Sequence, residues 1–263
     1  MTIELVVFDW AGTLIDFGCR APLIAFLEAF ESCGLRIDEA TARRPMGAHK
    51  RDHVRAILDE PVIVERARQL GGMPLDDAHA REAFGDRVYL AFECRLLELL
   101  PRYATPIPGA LETLQWLRAR EIAVGSTTGY TRPMMACLLP HAAAAGLAID
   151  AVVCSDEVPQ GRPAPWACFR LAERCGVFPL SRAVKVGDTP ADMAEGRNAG
   201  MRCVGVDESG NEVGLDRATL LALPMAERQA LRRRAGDRLA ASGAELVLRS
   251  VAELPAWLEA QGV

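Results

Sequence analysis

The feature that most constrains what this chain can fold into is a unit that recurs through its second half. A short run of β-branched and small apolar residues stops at polar or glycine residues, and a helix-like stretch follows. IAVGSTT (Ile122–Thr128), AVVCSDE (Ala151–Glu157), AVKVGDT (Ala183–Thr189) and MRCVGVD (Met201–Asp207) all have this form. Between them lie segments such as Gly109–Glu121, where Leu111, Leu114, Trp116 and Leu117 cluster at helical spacing. The alternation predicts a doubly wound α/β fold with a mostly parallel, Rossmann-like sheet. Near the N-terminus, ELVVFDWAGTLID (Glu4–Asp16) supplies one more strand, Leu5–Phe8, which delivers Asp9 onto a turn closed by Gly12 and Thr13. A helical excursion at Gly210–Ser242, a last strand at Ala244–Leu248 and a closing helix complete the pattern.

The stretch from Ala21 to Tyr103 breaks the alternation. It carries apolar residues at helical spacing (Leu23, Phe26, Leu27, Phe30) and no convincing strand, and loops holding Pro22 on one side and Pro101, Pro106 and Pro108 on the other bound it. It reads as an inserted helical cap domain, residues 21–103, within an α/β core domain made of 1–20 and 104–263. A chain of 263 residues has room for both, because single cores stop growing at roughly 250 to 300 residues.

Bulk properties narrow the function classes. The net charge is -5 and no basic tract is concentrated beyond Arg232–Arg234, which disfavours a nucleic-acid partner, since that would want a basic face against phosphates. No uninterrupted apolar segment approaches the roughly 18 residues of a membrane helix. The eight cysteines contain no CxxC pair and read as reduced thiols, neither a disulfide framework nor a zinc site. Met1 leads into the first strand without a charged leader or apolar signal core, and the expected compartment is the cytoplasm.

In doubly wound sheets ligands bind outside the carboxyl ends of the strands. The residues there are Asp9, the Ser126-Thr127-Thr128 cluster and Gly187-Asp188, with Asp192 four positions on. Asp9 and Asp188 in one crevice would repel unless a cation lay between them, and hard oxygen ligands beside a phosphate-like substrate suit Mg²⁺. The Thr128 hydroxyl and Arg162, in the loop GRPAPW, can donate to phosphoryl oxygens. With that charge dispersed, an aspartate can attack phosphorus. Any one of these residues alone is more often a cap or a solvated charge; VVFDxxGT followed in order by STT and KVGDTxxD is far more specific.

This set resembles the haloacid dehalogenase superfamily over nearly the whole chain. The resemblance implies that Asp9 is a nucleophile, Thr128 or a neighbouring hydroxyl holds phosphate, Arg162 stands where a lysine is usual, and Asp188 binds Mg²⁺ with Asp192 in support. The departure is Ala11. Phosphatases of the superfamily keep an aspartate there to protonate an alkoxide leaving group.

A second stretch, RRPMGAHKRDHVRAIL (Arg43–Leu58), lies in the predicted insert, where Lys50 and His53 share a face if the segment is helical. Alone, a K-x-x-H pair is an exposed basic surface. Opposite a nucleophile that lacks its acid, the lysine gains a task. An amine whose pKa is lowered condenses with a carbonyl, and the resulting imine accepts electrons. Breaking a carbon–phosphorus bond beside an aldehyde needs such a sink, and it needs no acid at position 11.

FDWAGT, PMGAHKRDH, GSTTGYTRPMM and KVGDTPADMAEGRNAGM together resemble the phosphonoacetaldehyde hydrolase, or phosphonatase, family from end to end. That resemblance implies a Lys50 Schiff base with phosphonoacetaldehyde, attack by Asp9, and proton transfer assisted by His53. It implies Mg²⁺ on Asp9, Asp188 and the carbonyl of Ala11, and a substrate site lined by Cys19, Met46, Gly47, Thr128, Tyr130 and Arg162. It further implies a cytoplasmic homodimer paired through the cap, acting in 2-aminoethylphosphonate breakdown. The rival readings are a phosphomonoesterase or phosphoglucomutase-like enzyme, which Ala11 disfavours, and an inactive scaffold, which has no physical reason to keep Asp9, Lys50, Arg162 and Asp188 together.

Overall fold

The computed structural model describes residues 3–70 and 75–263. Its strands β1 (Leu5–Phe8), β2 (Ala123–Thr127), β3 (Ala151–Val153), β4 (Ala183–Gly187), β5 (Arg202–Val206) and β6 (Leu246–Leu248) form one parallel sheet in the order β3-β2-β1-β4-β5-β6. Every one lies within a run expected from the sequence. The strands are apolar on both faces because both are covered. Leu5 and Val7 pack with Ala167 and Leu171 of α8 (Trp166–Cys175). Val6 and Phe8 join the larger cluster, with Leu114 of α6 (Ala110–Arg118) and Met134 and Leu138 of α7 (Arg132–Ala144).

β1 occupies the middle of the sheet. The chain winds outward through β2 and β3 and then returns to β4 on the far side of β1, which places a switch point at the carboxyl end of β1. Phe8 is in register with Ser126 of β2 and Val186 of β4, so the chain leaves all three strands at one level. The remaining helices are α9 (Pro190–Asn198), α10 (Arg217–Ala222), α11 (Met225–Ala241) and α12 (Leu254–Ala260).

Between β1 and β2 run α1 (Arg20–Ser32), α2 (Glu39–Arg43), α3 (Lys50–Leu58), α4 (Pro61–Gln69) and α5 (Ala78–Leu99), with no strand among the described residues. Leu23, Phe26 and Phe30 of α1 are buried and Leu27 partly so, as their spacing predicts; the Phe26 ring stacks on Phe92 of α5 at 4.0 Å. Pro22 lies in the first turn of α1 instead of a loop, a position where a missing N–H costs nothing. The Asp16 carboxylate accepts from the amides of Arg20 and Ala21 at 2.9 and 3.0 Å and so holds the start of that helix. One apolar cluster runs from Phe26 and Phe92 through Trp10 and Leu14 to Phe8, so helices and sheet share a core. No described helix is long and apolar enough to cross a membrane.

Candidate active site

Asp9, Ala11, Cys19, Met46, Gly47, Lys50, Thr128, Tyr130 and Arg162 border a single cavity, together with Pro22, Gly129 and Thr189. The space is small, ≈ 20 Å³, little more than one water needs, so helices and sheet close tightly over the ends of the strands. Asp9 follows β1 directly and its amide donates to the carbonyl of Val186 at 2.9 Å. The loop then turns at Gly12, with φ +89°, and a Cβ there would stand 2.4 Å from an Asp188 carboxylate oxygen. Only glycine lets the loop pass that close to Asp188.

Behind Asp9 lies a dense cluster of buried charge. Arg162 Nη1 is 2.8 Å from both Asp9 Oδ1 and Asp192 Oδ1, as ion pairs without aligned hydrogen bonds. Its Nε donates to Glu195 Oε2 at 2.9 Å, and Lys185 Nζ reaches Glu195 Oε2 at 3.0 Å and Asp192 Oδ1 at 3.1 Å. The Thr127 hydroxyl knits these together: it donates to Glu195 and accepts from Lys185 at 2.7 Å and from Arg162 at 3.1 Å. Asp192 uses Oδ2 to cap α9, accepting from the Thr189 hydroxyl at 2.6 Å.

Charge follows from these contacts. Burial pushes the Asp192 carboxyl up, but Arg162 and Lys185 outweigh it and hold the group below its ordinary value. Asp9 is raised by burial and by Asp192, against the pull of Arg162 and Lys185. Asp188, also buried, is pushed well above the carboxylate range by burial and then by Asp9. Among the described residues no basic side chain pairs with it; its partners are the Thr13 hydroxyl, the Cys19 thiol and the amide of Asn211. Four buried carboxylates, Asp9, Asp188, Asp192 and Glu195, thus share two fixed cations, Arg162 and Lys185. Fully ionised, the four would exceed the two cations by two negative charges; burial and that repulsion raise Asp9 and Asp188, and one divalent cation would supply the balance. Carboxylate oxygens of Asp9, Asp188 and Asp192 lie within 4.8 Å of one another, so this all-oxygen set fits a hard metal ion.

The insert forms the opposite wall. Lys50 opens α3 and is 3% exposed, its ammonium 5.4 Å from the Tyr130 ring centre and 5.9 Å from that of Phe26. Among the described residues no carboxylate comes within ion-pair distance of it. Burial, only partly offset by the more distant Asp9, lowers its pKa to about 8. Met46 and Gly47 precede it in a turn that seats on the core. A Cβ on Gly47, whose φ is +89°, would meet the Thr189 hydroxyl oxygen at 2.4 Å.

His53 takes a different place from the one expected. Its ring is fully buried, stacked on Phe26 at 3.9 Å, and does not border the cavity. Nε2 lies 2.8 Å from the carbonyl of Ala42, which can only accept, so the proton is on Nε2 and Nδ1 is a bare acceptor with no partner among the described residues. Burial and then Lys50 press its pKa well below the imidazole range, so it stays neutral. Of the hydroxyl cluster only Thr128 reaches the cavity. It accepts from the Tyr130 amide at 3.1 Å, which leaves its own O–H to donate.

A haloacid dehalogenase-like hydrolase model matches residues 3–200. The chain is 45% identical over 260 residues to a phosphonoacetaldehyde hydrolase of Bacillus cytotoxicus, covering 98% of this chain and 96% of that one. It is 42% identical to a phosphonoacetaldehyde hydrolase of Syntrophobacter fumaroxidans, covering 98% and 91%. The chain belongs to the phosphonoacetaldehyde hydrolase family of haloacid dehalogenase-like hydrolases. The crystal structure of a phosphonoacetaldehyde hydrolase-like protein from Oleispira antarctica superposes with a TM-score of 0.93 at 36% identity, covering 99% of this chain and 92% of that one.

Sequence reasoning missed Lys185 and Glu195, which join Thr127 of the hydroxyl cluster in supporting this family's site here without touching the cavity. One signal was present. A lysine in the middle of AVKVG, an otherwise apolar strand, has to find a buried partner. Glu195, three residues after Asp192 on the same face of α9, is that partner.

Proposed function

We propose that this hydrolase cleaves the carbon–phosphorus bond of phosphonoacetaldehyde. The observation that carries the reading is the buried amine of Lys50, its pKa lowered, facing Asp9 across one closed cavity in which position 11 has no acid. Lys50 Nζ attacks the substrate aldehyde, and loss of water gives an iminium. An Asp9 oxygen then attacks phosphorus. The carbon–phosphorus bond breaks, its electron pair passes to carbon, and the iminium becomes an enamine. Protonation at carbon and hydrolysis release acetaldehyde and free Lys50; a water cleaves the aspartyl phosphate to phosphate.

Arg162 and the Thr128 hydroxyl are read as holding the phosphoryl oxygens, and Cys19, Met46, Gly47 and Tyr130, which border the same cavity, as lining the aldehyde end. His53, neutral and stacked on Phe26, is assigned from the family resemblance to assist proton transfer around the imine. Mg²⁺ is assigned to Asp9, Asp188 and the carbonyl of Ala11, with Asp192 in support. When bound, it neutralises the two surplus charges and withdraws charge from the phosphoryl group. Residues 21–103 are assigned as the cap on a core of 1–20 and 104–263. From resemblance to the family, the enzyme is read as a cytoplasmic homodimer paired through that cap, which sedimentation would test.

The test is product analysis. Purified protein with Mg²⁺ and phosphonoacetaldehyde should release acetaldehyde and phosphate in equal amounts, and phosphomonoesters should be poor substrates. Efficient hydrolysis of phosphomonoesters with no acetaldehyde from the phosphonate would overturn the reading.

A further inference from the structure

Arg43 closes α2, lies outside the cavity, and has no part in the chemistry above. Yet it ties the insert to the core. Nη1 donates to the carbonyl of Gly18 at 3.0 Å and to Asn211 Oδ1 at 3.1 Å, and Nη2 donates to the carbonyl of Gly214 at 2.6 Å. Asn211 answers through Nδ2, which donates to the carbonyl of Arg43 at 3.2 Å. The guanidinium packs close to Gly214, where φ is +71° and a Cβ would stand 2.8 Å from both Cζ and Nε of Arg43. Any side chain at that position would push the arginine out.

Two routes lead from this clasp to the site. Along the chain, Arg43 is followed by Met46, Gly47 and Lys50, the insert's contribution to the cavity. Through space, Asn211 sits between Arg43 and Asp188, because its own backbone N–H donates to Asp188 Oδ2 at 2.8 Å. We propose that Arg43 is a positioning residue, a latch that couples the seating of Lys50 to the metal-binding state of Asp188. A planar fork with donors in several directions can hold Gly18, Asn211 and Gly214 at once, which an ammonium cannot do in the same geometry. Coupling of this kind is reciprocal: an ion on Asp188 fixes Asn211 and tightens the latch, and a closed latch holds the ion more strongly. The inference rests on the roles proposed above for Lys50 and Asp188.

Hydrogen exchange across α3 and calorimetric titration with Mg²⁺ read the two ends of the latch without turnover. In the wild-type protein Mg²⁺ should slow exchange of the α3 amides. Arg43→Ala, Arg43→Lys and Gly214→Ala should each weaken Mg²⁺ binding by about fivefold or more and remove most of that protection. The borohydride-trapped adduct on Lys50 should fall in parallel. Should Arg43→Ala fold poorly, the two milder variants carry the test. Wild-type Mg²⁺ affinity in Arg43→Lys and Gly214→Ala, or no Mg²⁺-dependent protection of α3 in the wild type, would overturn the latch. If the wild type shows the protection but releases no acetaldehyde, the substrate assignment fails and the latch stands.

Discussion

The two walls of the cavity treat buried charge in opposite ways. On the core side Arg162 and Lys185 are each held by at least two carboxylates within about 3 Å, and the Thr127 hydroxyl joins them. On the insert side Lys50 is just as deeply buried, and its near neighbours are the Tyr130 and Phe26 rings. The first arrangement keeps its cations charged at any pH the protein meets. The second strips an amine of its compensation and brings it within reach of neutrality. On the proposed mechanism, a compensated frame orients Asp9 for attack, and an uncompensated Lys50 amine forms the imine.

The largest effect expected from breaking this arrangement is at Asp9. Asp9→Asn keeps the shape but removes the attacking carboxylate, and turnover should fall by about 10⁴-fold or more in steady-state kinetics. Next is the frame. Lys185→Met leaves Glu195 and Asp192 short of a buried partner and should lower unfolding free energy by about 3–5 kcal/mol in denaturant titrations. The matching change on the other wall should have the opposite sign. Lys50→Met removes an unpaired buried amine and should stabilise the protein by about 1–3 kcal/mol while abolishing turnover. Equal destabilisation by the two substitutions would erase the contrast.

A smaller effect is the pH dependence of Lys50. With its folded pKa lowered to about 8, the folded state binds fewer protons than the unfolded chain between about pH 8 and the ordinary lysine range near 10.5. Stability should therefore rise with pH across that window in wild type, and Lys50→Met should lack the rise. Imine formation, which needs the neutral amine, should increase through about pH 8. Smallest of all is Ala11→Asp, which should give no gain in carbon–phosphorus cleavage, because no leaving oxygen awaits a proton.

Much of this was legible in the sequence, for identifiable reasons. Strands that are apolar on both faces and end at Asp9, Thr128 and Asp188 can pack in few ways, and the switch point at β1 then gathers those residues. Lys50 was legible because Ala11 left a chemical role unfilled. What pattern reading could not reach were contacts between residues far apart in the chain. Lys185 and Glu195 meet through the packing of α9 on β4, and Arg43 meets Asn211 across 168 positions. His53 shares the face of Lys50 as its spacing required, but the stack on Phe26 depends on how α1 lies over α3, which periodicity does not specify.

The most direct test of the central claim is chemical trapping of Lys50. Protein incubated with phosphonoacetaldehyde and borohydride, then digested and analysed by mass spectrometry, should carry a two-carbon adduct on Lys50, and Lys50→Arg should carry none and be inactive. Turnover by Lys50→Arg, or wild-type turnover with no adduct on Lys50, would contradict the account.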